Sequence, residues 1–190
     1  LEFRRVLFRS SNTSGNTWTA VYTANASDTD GAVTYSIAFS DTSGNAGTAV
    51  TSGSGSVTTD TTAPTLSNVS ITSDNSTSTL AKANDDVTLT FTASEAIGTP
   101  VVTFRSGGDA ITDGSVVYRN TSGNTWTAVY TANASDTDGA VTYSIAFSDT
   151  SGNAGTAVTS GSGSVTTDTT APTLSSVSIA SDNSTSTLAK

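Results

Sequence analysis

The chain has 190 residues, a formal net charge of −9 and neither cysteine nor histidine. Disulfide staples, thiol nucleophiles, histidine-based triads and the usual zinc sites are therefore excluded. The acidic balance leaves no basic stripe to neutralise nucleic-acid phosphates or an anionic membrane, so neither is an expected partner and no membrane insertion is expected in this segment.

Chain order begins with a discontinuity. Residues 12–82 recur at 120–190, a shift of 108, and only two of the 71 aligned positions differ: Asn68 against Ser176, and Thr72 against Ala180. Such a period means that one supersecondary unit is being repeated. The match stops at Ser11, which faces Arg119. Just before it, Val6-Leu7-Phe8-Arg9-Ser10 resembles the translated end of a sequencing adapter. Residues 1–10 are accordingly read as a non-native scar, too short for a membrane span or a whole signal peptide. They carry three Arg and one Glu, so the other 180 residues hold −11. The expected division is the C-terminal half of one repeat over 11–61, a complete repeat over 62–169, and the first strand of a third over 170–190.

The half repeat carries apolar positions at Trp18, Tyr22, Tyr35, Ile37 and Phe39 without the three strands that precede them in a full copy. It is expected to fray or to borrow cover. Thr61-Thr62-Ala63-Pro64-Thr65 and its copy Thr169-Thr170-Ala171-Pro172-Thr173 read as junctions, since proline stiffens the chain and donates nothing to a ladder. Within the complete repeat, strands are predicted at 66–72, 86–93, 101–105, 115–119, 126–130, 141–147 and 156–167. In 86–93 the residues Val87, Leu89, Phe91 and Ala93 share one face, and Val141, Tyr143, Ile145 and Phe147 share another. Trp126, Ala128 and Tyr130 make a third. Alternation with period two marks strands with one dry and one wet face. Turn clusters separate the runs, among them Ser106-Gly107-Gly108-Asp109 and Asp136-Thr137-Asp138-Gly139. Gly161 and Gly163 shift the parity of the last run and predict a bulge.

Seven strands in about 100 residues have the spacing of an all-β, immunoglobulin-like Greek-key sandwich in tandem copies. Its expected core is Val87, Leu89, Phe91, Trp126, Tyr143, Ile145 and Phe147. There is no Cys–Trp–Cys spacing, so it is not an antibody-type domain. Asp60-Thr61-Thr62-Ala63-Pro64-Thr65, Phe91-Thr92-Ala93-Ser94-Glu95-Ala96 and Ser148-Asp149-Thr150-Ser151-Gly152-Asn153 resemble the signatures of bacterial Ig-like tandem repeats. Such repeats build giant surface adhesins and biofilm-associated proteins. The resemblance implies an extracellular or cell-surface location, a spacing role, and calcium between domains.

Catalytic residues are not expected, nor any organic cofactor. The acid pair Asp85-Asp86 lies at a turn and reads as a solvated edge rather than a glycosidase pair. Lys82 sits in a polar loop, which argues against an isopeptide crosslink. Calcium (Ca2+) is the one ligand these acids suit, because it takes six to eight oxygens from several carboxylates and carbonyls. Sandwich topology gathers Asp60, Glu95, Asp149 and Asn153 at one pole, with Asp28 and Asp30 arriving from the preceding repeat. Asp136, Asp138 and Asp168 are the incomplete counterpart at the second junction. The competing reading is turn chemistry, in which Asp in Asp-Thr-Asp-Gly and Asp-Thr-Ser-Gly-Asn bonds its own backbone.

Three functions follow. A structural spacer of a large bacterial adhesin leads, its partners being neighbouring repeats and a host or biofilm surface reached through a tip outside this chain. Each repeat would add ~35–45 Å at ~3.3 Å per residue. The others are an accessory module of an exported polysaccharide-degrading enzyme, and a glycan-binding module using an exposed aromatic such as Tyr118.

Overall fold

A computed structural model of the chain describes residues 9–185. Residues 1–8, most of the stretch read above as a scar, and residues 186–190 lie outside the described residues. The described residues form two compact units, one of 9–65, 93–100 and 146–157, the other of 66–92, 101–145 and 158–185. All regular structure among them is strand.

In the first unit β1 (Arg9–Ser14) pairs with β2 (Thr17–Val21), and β3 (Gly31–Ala32) pairs with β4 (Thr58–Thr59), both antiparallel. The second unit holds β5 (Leu66–Ser73), β6 (Leu80–Ala81), β7 (Asp86–Ala93), β8 (Val101–Ser106), β9 (Asp109–Ala110), β10 (Val117–Ser122), β11 (Thr125–Thr131), β12 (Gly139–Ala146) and β13 (Thr166–Thr167), less the last residues of β7 and β12. They make a four-stranded sheet in the order β10-β11-β7-β5 and a five-stranded sheet in the order β6-β13-β12-β8-β9.

These two sheets bury their apolar sides on each other. Along β7 burial alternates strictly, with Val87, Leu89 and Phe91 sealed and the threonines between them half-exposed. From the facing sheet Phe104 on β8 meets Tyr130 on β11 with ring centroids 4.9 Å apart and planes tilted by 45°, a geometry aromatic pairs favour. Leu89, Ala128, Tyr143, Ile145 and Val165 complete the dry layer.

Of the expected core, Val87, Leu89, Phe91, Tyr143 and Ile145 are buried in the second unit, Phe147 is buried in the first, and Trp126 is only half-buried. It stands opposite Phe91 and so shares the inner face, but it lies beside the turn that joins β10 to β11, where the layer ends. The strand expected at 115–119 is found displaced towards the C-terminus, as β10.

The last strand departs most from expectation. Instead of a run over 156–167 with one bulge, only Thr166–Thr167 is regular. Val158 bridges Ile145 on β12, Ser162 bridges Ser70 on β5 in parallel, and Thr166 returns to β12 and β6. The segment thus changes partner twice and ties β5 to the second sheet. Glycine permits the approach: a Cβ on Gly161 would stand 2.4 Å from the Val69 carbonyl oxygen, and one on Gly163 2.3 Å from that of Ile71. Gly163 also takes φ +77°, which L side chains seldom adopt.

The two copies of the repeat act as a controlled comparison. The hairpin of β1 and β2 has the same register as that of β10 and β11, with Asn12 opposite Trp18 and Asn120 opposite Trp126. Its strands are neighbours in the chain, so each copy contains all it needs. In contrast, Gly139–Ala146 is an eight-residue strand, whereas the identical sequence from Gly31 is regular for only two residues. β12 lies between β13 and β8; no counterpart of β8 stands beside Gly31–Ala32 among the described residues. Apolar cover follows: Ile145 is 0% exposed and Ile37 is 51% exposed. Alternation in sequence makes a strand possible; the partner makes it form.

Candidate functional site

The acids that meet are held by three segments of the first unit, 60–65, 93–100 and 146–157. Ser94 N–H donates to the Thr65 carbonyl at 2.9 Å, and the Ser94 hydroxyl accepts from Thr65 N–H at 3.0 Å. Ile97 bridges Asp149, and Gly98 N–H donates to the Ser148 carbonyl at 3.0 Å. The Phe147 ring lies against Gly155, where a Cβ would come within 2.2 Å of the ring and 2.8 Å of the Pro64 carbonyl oxygen. Proline, glycine and phenylalanine therefore lock the junction segment against the loop that carries Asp149.

On this frame Asp60, Glu95 and Asp149 bring carboxylate oxygens within 4.8 Å of one another. Asp149 is buried, the other two half-buried. No Lys or Arg occurs in the three segments. Burial, and then the charges of Asp60, Asp149 and Asp30, push the Glu95 carboxyl above its ordinary range. For an acid with a raised folded pKa the charged form opposes folding above that pKa, and protonation or a cation relieves the strain.

Asn153 ties the group together. Its amide donates to the Asp60 carbonyl at 3.0 Å and to Asp149 Oδ2 at 2.8 Å. The Ser151 hydroxyl donates to Asp60 Oδ2 at 3.0 Å, and the backbone N–H groups of Ser151 and Asn153 donate to Asp149 Oδ1 at 2.9 and 2.8 Å. Burial raises the Asp149 carboxyl, but the Asn153 amide and these backbone donors outweigh it and leave it below the usual range.

How much of this geometry is turn chemistry can be read from the other copy. Asp41 accepts from Ser43 N–H, Asn45 N–H and the Asn45 amide at 2.9, 2.8 and 2.8 Å, although its side chain is exposed. The posture of Asp149 is thus intrinsic to Asp-Thr-Ser-Gly-Asn. What the loop does not supply is the approach of Asp60 and Glu95.

The remaining candidates add no oxygen to this group. Asp30 clamps the junction, accepting from Thr61 N–H at 2.7 Å, the Thr61 hydroxyl at 2.8 Å and the Thr62 hydroxyl at 2.5 Å. Those donors, led by the Thr62 hydroxyl, lower its pKa. Asp138 repeats the clamp on Thr169 and Thr170, and its pKa falls for the same reason, the Thr169 N–H leading. Asp28 receives the Tyr22 hydroxyl and Asn25 N–H. Its counterpart Asp136 is buried and accepts from Thr112 N–H at 2.8 Å and Asn133 N–H at 2.9 Å. Asp168 accepts from Thr170 N–H at 3.1 Å.

Two residues differ from their sequence reading. Asp85 is buried, not a solvated edge, whereas Lys82 keeps its exposed place in the loop. Lys82 pairs with Asp85 through both its ammonium and its N–H, and the Asn75 amide adds a third donor at 2.6 Å. The Lys-x-x-Asp spacing was the available signal. Tyr118 is half-buried, and its hydroxyl accepts from Val102 N–H at 2.8 Å, so it is not a free aromatic edge.

Compared with known proteins, the chain matches no family model, and neither a curated protein nor a solved structure matches it.

Proposed function

We propose that this chain is a stretch of structural spacer repeats from a large bacterial cell-surface or secreted adhesin, stiffened at its junctions by calcium, and not an enzyme. One observation carries the reading: two copies of a 108-residue unit differ at only two of 71 shared positions. Copies that alike give no repeat a chemistry of its own, whereas each added copy adds length. The strand orders β10-β11-β7-β5 and β6-β13-β12-β8-β9 support assigning the repeat to the immunoglobulin-like Greek-key class. The clamps of Asp30 on Thr61–Thr62 and Asp138 on Thr169–Thr170 suit a spacer too, since they fasten each repeat to the chain that leaves it.

Calcium enters through the electrostatics of Asp60, Glu95 and Asp149, three carboxylates with no base in their segments. A divalent ion would relieve their repulsion, and the Asp60 and Asp149 oxygens would share it with the donors they already have. The expected result is a higher melting temperature in millimolar calcium than in chelator, by binding linkage. Glu95→Gln should raise the melting temperature in chelator, because it removes the destabilising charge, and should shrink the gain from calcium. A melting temperature indifferent to millimolar calcium would remove calcium from the proposal and leave the carboxylates as turn residues.

A further inference from the structure

The outer edge of β8 is only partly covered by its neighbour, and one side chain fills the gap. In the second unit β8 lies between β12 and β9, but β9 pairs only with Arg105 and Ser106. The stretch of β8 from Val101 to Phe104 runs past the end of that partner. Its main-chain groups face outwards at alternate residues. Gly107 and Gly108, with φ +57° and +95°, form the two-residue turn between β8 and β9. The pair that closes such a turn, here Ser106 with Asp109, is hydrogen-bonded. The N–H and C=O of Ser106 therefore point towards β9, and those of Phe104 and Val102 point the same way.

Tyr118 meets the groups of Val102. It stands on β10, an edge strand of the facing sheet, opposite the sealed Ala128 and so on that sheet's inner side. Its hydroxyl accepts from Val102 N–H at 2.8 Å and donates to the Val102 carbonyl at 3.3 Å. One side chain thus does what a neighbouring strand would do, answering both main-chain groups of an edge residue. The surroundings are apolar: Val101 and Val117 are 62% and 52% exposed. An open edge flanked by apolar side chains is a template for another chain.

We infer that Tyr118 is an autoinhibitory latch, holding shut a strand edge through which two copies of this chain would otherwise pair. The occupant it excludes is β8 of a second copy, because the edge is complementary to itself. Two β8 edges run antiparallel about a two-fold axis bring Val102 opposite Val102, and each N–H bonds the other's carbonyl. Those are the same two groups that the hydroxyl holds. Val101 then faces Thr103, and Arg105 lies beyond the paired stretch, so no like charges meet. β9 borders that stretch at Arg105 and keeps the pairing short. The contact is isologous and closes at a dimer.

The test is sedimentation of the whole 190-residue chain from micromolar to millimolar concentration, with the parent's mass at each concentration as the reference. Tyr118→Ala removes the latch and should tighten dimerisation by about tenfold or more, the net worth of one or two hydrogen bonds, without larger species. Tyr118→Phe keeps the ring and loses only the hydroxyl; it should act in the same direction by less. Adding Val102→Pro to Tyr118→Ala deletes the outward N–H, a change an edge position tolerates, and should return the mass to the parent's. Association through mere unfolding would survive that second change. Amide exchange reads the latch directly. Val102 N–H should exchange slowly in the parent, fast in dilute Tyr118→Ala, and slowly again in the concentrated variant. Thr103 N–H, on the side of β12, should stay slow throughout. If neither Tyr118 variant associates more than the parent, or if association persists with Val102→Pro, the inference is overturned.

Discussion

Ile145→Ala should lower the stability of the second unit by about 2–5 kcal/mol, the usual cost of emptying a sealed aliphatic site. The same replacement at Ile37 should change stability by less than about 0.5 kcal/mol. Sequence cannot distinguish the two positions, since both read Thr-Tyr-Ser-Ile-Ala-Phe. Exposure does: 0% at Ile145 and 51% at Ile37. The measurement is urea unfolding, with Ile145→Ala followed by Trp126 fluorescence in a Trp18→Phe background and Ile37→Ala by Trp18 fluorescence in a Trp126→Phe background, so that each emission reports the unit that carries the change. Equal costs at the two positions would show that Ile37 is covered in solution, and would undo the contrast between the copies.

A second large effect is expected at Asp85, with a characteristic dependence on pH. Burial raises its pKa, but Lys82 N–H, the Lys82 ammonium and the Asn75 amide together outweigh burial and hold it at about 2, against an ordinary 3.8. A depressed folded pKa adds stability above the unfolded value, and that stability drains away as pH falls through the folded one. The unmodified chain should therefore lose this contribution between about pH 4 and pH 2. Asp85→Ala leaves the part-buried Asn75 amide and Lys82 N–H unanswered and should cost about 1–3 kcal/mol at neutral pH. Its melting temperature should approach that of the parent as acid protonates Asp85. A difference between the two that is independent of pH across this range would show that the carboxylate charge is not what the site uses.

Legibility in the sequence followed the range of the interactions involved. The stretch 86–93 was readable because Val87, Leu89 and Phe91 alternate with threonines, and the burial alternates with them. Hairpins were readable for the same local reason. The track from Val158 to Thr166 was not, because its partners are chosen by β5, β6 and β12 in turn, and glycine marks a close approach without saying to what. Among the candidate ligands, Asp60, Glu95 and Asp149 were placed by topology and do meet. Asp28 and Asp136 were assigned to the junctions from the loop that carries them, but their oxygens accept from donors of their own turns and, for Asp136, from Thr112 N–H. Asp85 escaped because two adjacent acids look like surface, while its partners lie three residues before it and ten residues before it.

The parallel pairings of β6 with β13 and of Ser70 with Ser162 have a mechanical consequence. They join the opening strands of the complete repeat to its closing segment. Tension that draws the start of the repeat away from its end pulls such parallel neighbours along their own length, in opposite senses. Their hydrogen bonds then resist in shear, several giving way together, where an antiparallel hairpin pulled from its open end would unzip bond by bond. A tether assembled from these units should extend abruptly, repeat by repeat, each opening absorbing work and releasing the slack of a whole domain.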